Sequence, residues 1–107
     1  MTVWITVAAI GEFVPGSCRV VETEDARIAV FNLDGEYYAI EDVCTHDGGE
    51  LANGKVEGNE IICPRHGARF SIKTGEVRGP PAYQDLRTFP VRALDGVVQI
   101  GAETAEA

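Results

Sequence analysis

No stretch of this sequence stays apolar for the roughly 18 residues that a membrane-spanning helix requires. The opening MTVWITVAAIGEF is too short, and it lacks both a basic flank and a clear small-residue cleavage site. The chain is therefore expected to be soluble, cytoplasmic and not exported. Basic clusters are missing too. Nine Lys and Arg stand against 17 Asp and Glu, a net charge of −8, which argues against nucleic acid as a partner because phosphate binding needs concentrated positive charge. Catalytic signatures are equally scarce: there is no G-x-S-x-G and no G-x-G-x-x-G. GEFVPGS (11–17) has phosphate-loop spacing but carries Ser17 where the lysine belongs, so it reads as a turn. Histidine occurs only twice and cysteine only three times. An odd thiol count in an unexported chain suits a reducing compartment, where cysteines bind metal more often than they form disulfides.

Helical periodicity is also lacking: no window holds a 3.6-residue apolar stripe beyond two turns. What is there is 45% apolar residues, enough for a folded globule, arranged in short runs rich in Val, Ile, Tyr and Phe. VWITVA (3–8), SCRVVET (17–23), RIAVFN (27–32), EYYAIED (36–42), TFPVRAL (88–94) and VVQIG (97–101) read as strands. Asp34-Gly35 and Asp95-Gly96 supply the positive φ angles of tight hairpins. KVE lies between Asn53-Gly54 and Gly58-Asn59, EIIC (60–63) follows, and RFSI and EVRG flank a hairpin at Lys73-Thr74-Gly75. The fold class is all-β, in a single domain of 107 residues with a frayed tail over 102–107.

Charge is unevenly distributed. Between Cys44 and Pro80, five acids (Asp47, Glu50, Glu57, Glu60, Glu76) balance five bases (Lys55, Arg65, Arg69, Lys73, Arg78), so the whole excess of negative charge sits in the flanks. Such a surface can orient the molecule against a basic partner and leave the neutral segment free to touch it.

That neutral segment contains both histidines. CTHDGGEL (44–51) sets Cys44 and His46 two apart, and CPRHGARF (63–70) sets Cys63 and His66 three apart. Two thiolates and two imidazoles could hold one zinc in a Cys₂His₂ site, or a [2Fe–2S] cluster with the cysteines on one iron and the histidines on the other. Zinc is the less natural fit. Structural zinc sites usually begin with C-x₂₋₄-C, whereas here each cysteine is followed by a histidine. Two bridged irons let each loop supply one ligand to each metal. Cys18 lies outside the pattern and reads as a small apolar side chain in a strand.

C-T-H followed after sixteen residues by C-P-R-H-G resembles the Rieske [2Fe–2S] signature C-x-H…C-x-x-H, and with the strand pattern and the later GPPA the likeness extends over most of the chain. The resemblance implies a fold of antiparallel sheets, with a cluster-binding subdomain (about 43–82) inserted into a base subdomain (1–42 and 83–101). It implies one [2Fe–2S] cluster, with Cys44 and Cys63 on the inner iron and His46 and His66 on the outer iron near the surface. Leu51 and Gly67 would surround the cluster, and Gly79-Pro80-Pro81 would be the proline loop that covers it.

Departures from the family's high-potential branch narrow the type. That branch has an extra cysteine in each loop, joined as a disulfide, where this chain has Gly49 and Arg65. It also has a Ser and a Tyr whose hydroxyls donate to sulfur, where this chain has Ala68 and Phe70. Donors aimed at cluster sulfurs stabilise the added electron, so losing two of them lowers the potential. The expected poise lies near the lower end of the Rieske range of about −150 to +300 mV.

The pattern is similar to the soluble Rieske-type ferredoxins of bacterial aromatic-ring-hydroxylating dioxygenase systems. That likeness implies a one-electron carrier, fed by a flavin-dependent NAD(P)H reductase and discharging to a terminal oxygenase with its own Rieske centre; small size and an acidic surface suit a monomer. Asp47, Glu50, Arg65 and Pro80 would line the docking rim. No histidine remains for the mononuclear iron of the oxygenase itself, so the chain reads as a carrier rather than an enzyme. Two alternatives stand beside this reading: the small subunit of an assimilatory nitrite reductase, and a zinc-stabilised Cys₂His₂ interaction module with no redox role.

Overall fold

The computed structural model describes residues 2–103. Its strands, in chain order, are β1 (Thr2–Ala9), β2 (Cys18–Glu22), β3 (Arg27–Leu33), β4 (Glu36–Glu41), β5 (Lys55–Glu57), β6 (Glu60–Ile62), β7 (Arg69–Ser71), β8 (Val77–Gly79), β9 (Thr88–Phe89), β10 (Val91–Leu94) and β11 (Val97–Glu103). They form three antiparallel sheets ordered β1-β11-β10, β2-β3-β4-β9 and β5-β6-β7-β8. The only helical element among the described residues is a 3₁₀ turn at Ile10–Glu12, and none of their helices is long and apolar enough to cross a membrane. The all-β expectation holds.

Strand β3 organises the interior because both of its faces are covered. Ile28 and Val30 point with Ala39, Phe89, Val98 and Ile100 into a core shared by the first two sheets. Ala29 and Phe31 point the other way, joining Ile40, Ile61 and Phe70 in a second core that also contains Cys44, Leu51 and Cys63. The two-residue alternation of a strand produces this division. Each large apolar side chain so enclosed contributes about 1.5–3 kcal/mol of transfer free energy. The same strand that stabilises the sheet packing thus also forms the floor beneath the Cys/His loops.

The hairpins follow their turn residues. Asp34 and Gly35 have φ of 54° and 92°, and Asp95 and Gly96 have 52° and 80°, as tight two-residue turns require. TFPVRAL is not one strand. Phe89 pairs with Ala39 in the second sheet, whereas Val91 pairs with Ile100 in the first. Pro90 lies between them with no N–H for either ladder, and its carbonyl accepts from Gly101 N at 2.8 Å. The C-terminal strand runs past Gly101: Ala102 and Glu103 pair with Val3 and Thr2. Residues 102 and 103, expected in a frayed tail, thus belong to the strand, and 104–107 lie outside the described residues.

Strands β4 and β9 are hydrogen-bonded neighbours, and Glu41 N donates to Arg87 O at 2.9 Å. Residues 42–87 are consequently an excursion that leaves the second sheet and returns to the same place, carrying both Cys/His loops and the third sheet.

Candidate metal centre

The two loops share a backbone design. In the first, Cys44 N donates to Gly49 O at 2.7 Å and Gly48 N donates back to Cys44 O at 2.7 Å; in the second, Cys63 N donates to Ala68 O at 2.8 Å and Gly67 N to Cys63 O at 3.1 Å. The fifth residue counted from each cysteine is thus a glycine closing the turn, with φ of 76° at Gly48 and 78° at Gly67. A side chain would be strained there, which explains Gly48 two residues after His46 and Gly67 directly after His66. Two turns of one shape aim their cysteines inward, with Cys44 at 0% and Cys63 at 1% exposure. The histidines point outward: both are exposed, and their rings meet edge to face with centroids 4.9 Å apart.

The thiols interact directly. Burial pushes the Cys44 thiol up, reinforced by its neighbour Cys63. Burial would raise Cys63 as well, but hydrogen bonds from the Arg65 and His66 backbone, together with Cys44, bring it below its ordinary value. Deprotonation, which ligation needs, is thus opposed at Cys44 and eased at Cys63.

Leu51 is fully buried against this pair. Its N–H and that of Ala52 donate to Asp42 Oδ1 at 2.6 and 2.8 Å, while Arg27 Nε meets Asp42 Oδ2 at 2.7 Å. Asp42 is 4% exposed and anchors the exit of the first loop to β3. Sequence reading missed it, because an acid closing EYYAIED looks like any strand end. The Pro80-Pro81 bond is cis. Pro81 lines an open pocket with Thr45, His46, Tyr83 and Gln84, and Thr45 Oγ1 donates to Gln84 O at 2.7 Å, tying the first loop to this segment. Pro80 is exposed and outside that pocket. Tyr83, which went unnoticed in the sequence, is 83% exposed beside His46.

Asp47 and Arg65 pair with each other across the loops, Arg65 Nε to Asp47 Oδ2 at 2.6 Å. Arg65 and then the Gly49 amide hold the Asp47 carboxyl well below the usual carboxylate range. Asp47 also lies 3.3 Å from His66 Nδ1, and ligand atoms of Cys44, His46 and Asp47 fall within 4.8 Å of one another.

The donor set fits a two-iron cluster: two soft thiols side by side within the core, two imidazoles side by side above them. That layered arrangement matches one iron with sulfur ligands and one with nitrogen ligands. The sequence matches the Rieske [2Fe–2S] domain over residues 3–90. The chain belongs to this family. A Rieske domain carries an iron–sulfur cofactor. The ferredoxin component of the naphthalene 1,2-dioxygenase system of Pseudomonas putida is 37% identical over 93 residues, 86% of this chain and 89% of the relative. A solved structure of the complex of reduced oxygenase and oxidised ferredoxin in carbazole 1,9a-dioxygenase contains a chain 33% identical, with a TM-score of 0.88 and 97% of both chains covered. The putative NADH-dependent nitrite reductase small subunit of Mycobacterium tuberculosis superposes with a TM-score of 0.83 over 98% of this chain and 99% of its own, at 24% identity, a likeness of fold alone.

Proposed function

We propose that this Rieske protein is the ferredoxin component of an aromatic-ring dioxygenase system, a one-electron carrier rather than an enzyme. A single [2Fe–2S] cluster is held by Cys44 and Cys63 on the inner iron and by His46 and His66 on the outer. When bound, it takes up and releases one electron. A flavin-dependent NAD(P)H reductase supplies that electron, and a terminal oxygenase with its own Rieske centre receives it. The cytoplasm, where thiols stay reduced, is the compartment we infer. Residues 43–82 act as the cluster-binding unit on a base of 1–42 and 83–101, with Leu51, Gly67, Pro80 and Pro81 around the cluster.

The observation that carries this reading is the contrast in burial within one site. The thiols are closed off from water, whereas the His66 side chain is 52% exposed. An imidazole edge at the surface shortens the path to a docked partner, and the enclosed sulfur side limits loss of ligands to solvent. The aromatic substrate never meets the carrier, so ring specificity lies with the oxygenase.

The deciding experiment is electron paramagnetic resonance of anaerobically purified protein after dithionite reduction. A rhombic signal whose average g-value lies below that of all-cysteine clusters supports two-His, two-Cys ligation. A silent sample with stoichiometric zinc returns the site to a structural staple. Reconstituted ring hydroxylation with a matched reductase and oxygenase then distinguishes the carrier from a nitrite-reductase subunit.

A further inference from the structure

We propose that Arg65 is a clamp between the two ligand loops, a positioning residue that holds 44–51 and 63–68 at the separation the cluster requires and keeps a positive charge beside it. This inference rests on the reading that the two loops carry the cluster.

The geometry is specific. Arg65 Nε donates to Asp47 Oδ2 at 2.6 Å, and Nη2 donates to Asp47 Oδ1 at 3.1 Å and to Glu50 O at 2.9 Å. One side chain on the second loop therefore grips the first loop on both sides of Gly48-Gly49. Among the described residues no backbone hydrogen bond spans these two loops, so their spacing depends on side chains. Exposed ion pairs usually contribute little, but a bidentate guanidinium–carboxylate pair with a further bond to a backbone carbonyl is the favourable exception. Asp47 is itself restrained, accepting from Gly49 N at 2.8 Å.

Gly49 makes room for this arrangement. A Cβ there would stand 2.5 Å from Arg65 Cζ, 2.6 Å from Nη2 and 2.8 Å from Nε. The atoms it would strike belong to a movable side-chain end, so alanine would displace the guanidinium rather than the backbone. Glycine at 49 is thus explained by the clamp and not by turn conformation. The clamp also places a positive charge between the two ligand loops, two residues along from Cys63, and a cation beside the cluster favours an added electron.

The test uses holoprotein of the wild type and of Gly49→Ala, Arg65→Gln and Arg65→Lys. Cluster release is followed as bleaching of visible absorption under anaerobic chelator challenge, with the reduction potential and the urea midpoint of the apoprotein measured in parallel. Gly49→Ala and Arg65→Gln are expected to release iron roughly tenfold faster, with little change in urea midpoint. Arg65→Gln is expected to lower the potential, and Arg65→Lys to restore it because the charge remains while the planar fork is lost. Wild-type release from Gly49→Ala overturns the clamp even if the Arg65 variants fail to fold. A urea midpoint that falls in step with release, or an unchanged potential in Arg65→Gln, overturns it too. A wild-type protein that never takes up a cluster instead defeats the ligand assignment on which the clamp rests.

Discussion

Asp42 reaches from the end of β4 to Arg27 at the start of β3, oxygen to Nε 2.7 Å, with its side chain wholly enclosed. Its other oxygen accepts from the Leu51 and Ala52 amides. A single buried carboxylate thereby joins the central strand to the exit of the first ligand loop. Removing it leaves two amides without their acceptor and takes from the Arg27 guanidinium one of its carboxylate partners, Glu22 remaining at 2.8 Å. Asp42→Ala is expected to destabilise the protein by about 3 kcal/mol and to loosen the first loop. Urea unfolding and the cluster occupancy of freshly purified protein measure both effects; an unchanged midpoint would deny Asp42 this role.

Ala68 is fully buried in the core that holds both thiols, and its carbonyl accepts from Cys63 N. A hydroxyl placed there has the cluster's sulfur side within reach. Ala68→Ser is expected to raise the reduction potential, by about 60 mV if the new donor favours the reduced form tenfold. Voltammetry reads the shift directly, and a potential equal to wild type would mean that residue 68 does not face sulfur.

Tyr83 offers a large, nearly free aromatic surface beside His46. Aromatic side chains of this kind anchor protein interfaces out of proportion to their number. Tyr83→Ala is expected to leave potential and spectrum unchanged while lowering kcat/KM for electron delivery to the oxygenase about five- to tenfold. Stopped-flow oxidation of the reduced carrier at varied oxygenase concentration provides the check. Unaltered transfer kinetics would remove Tyr83 from the docking face.

Cys18 packs against the same core, and burial, followed by the nearby Asp42 charge, pushes its pKa up to about 12. A raised pKa stabilises the fold while the thiol stays neutral. That contribution is fully present below the unfolded value of about 8.5 and is lost as pH rises toward 12. Thermal midpoints should therefore fall between pH 9 and 11 less steeply in Cys18→Ala than in the wild type. At pH 8 the thiol is therefore almost wholly protonated, so iodoacetamide should label Cys18 far more slowly than a free thiol, and labelling at the free-thiol rate would contradict its burial.

Much of the site is local and therefore legible. Each ligand pair lies within four consecutive residues, and each closes on a glycine whose positive φ follows from the tight turn. The Asp-Gly turns mark their hairpins for the same reason: the conformation is a property of two adjacent residues. Other features leave no such trace. TFPVRAL carries strand-forming residues on both sides of Pro90, and the assignment of Phe89 and Val91 to different sheets depends on partners at Ala39 and Ile100.

The division between sequence and tertiary structure follows distance along the chain. The sequence by itself determined the ligand types and spacing, the all-β class and the absence of a spare histidine for a second iron, since these are matters of composition and short-range pattern. Only the tertiary structure decided that Asp42 serves Leu51, that Arg65 reaches Asp47, and that Tyr83 stands beside His46. Asp47 and Arg65 are 18 positions apart, and two surface charges at that separation carry no local mark of being paired. Their contact exists because β6 and β7 bring the second loop back beneath the first, a consequence of the whole excursion rather than of either loop.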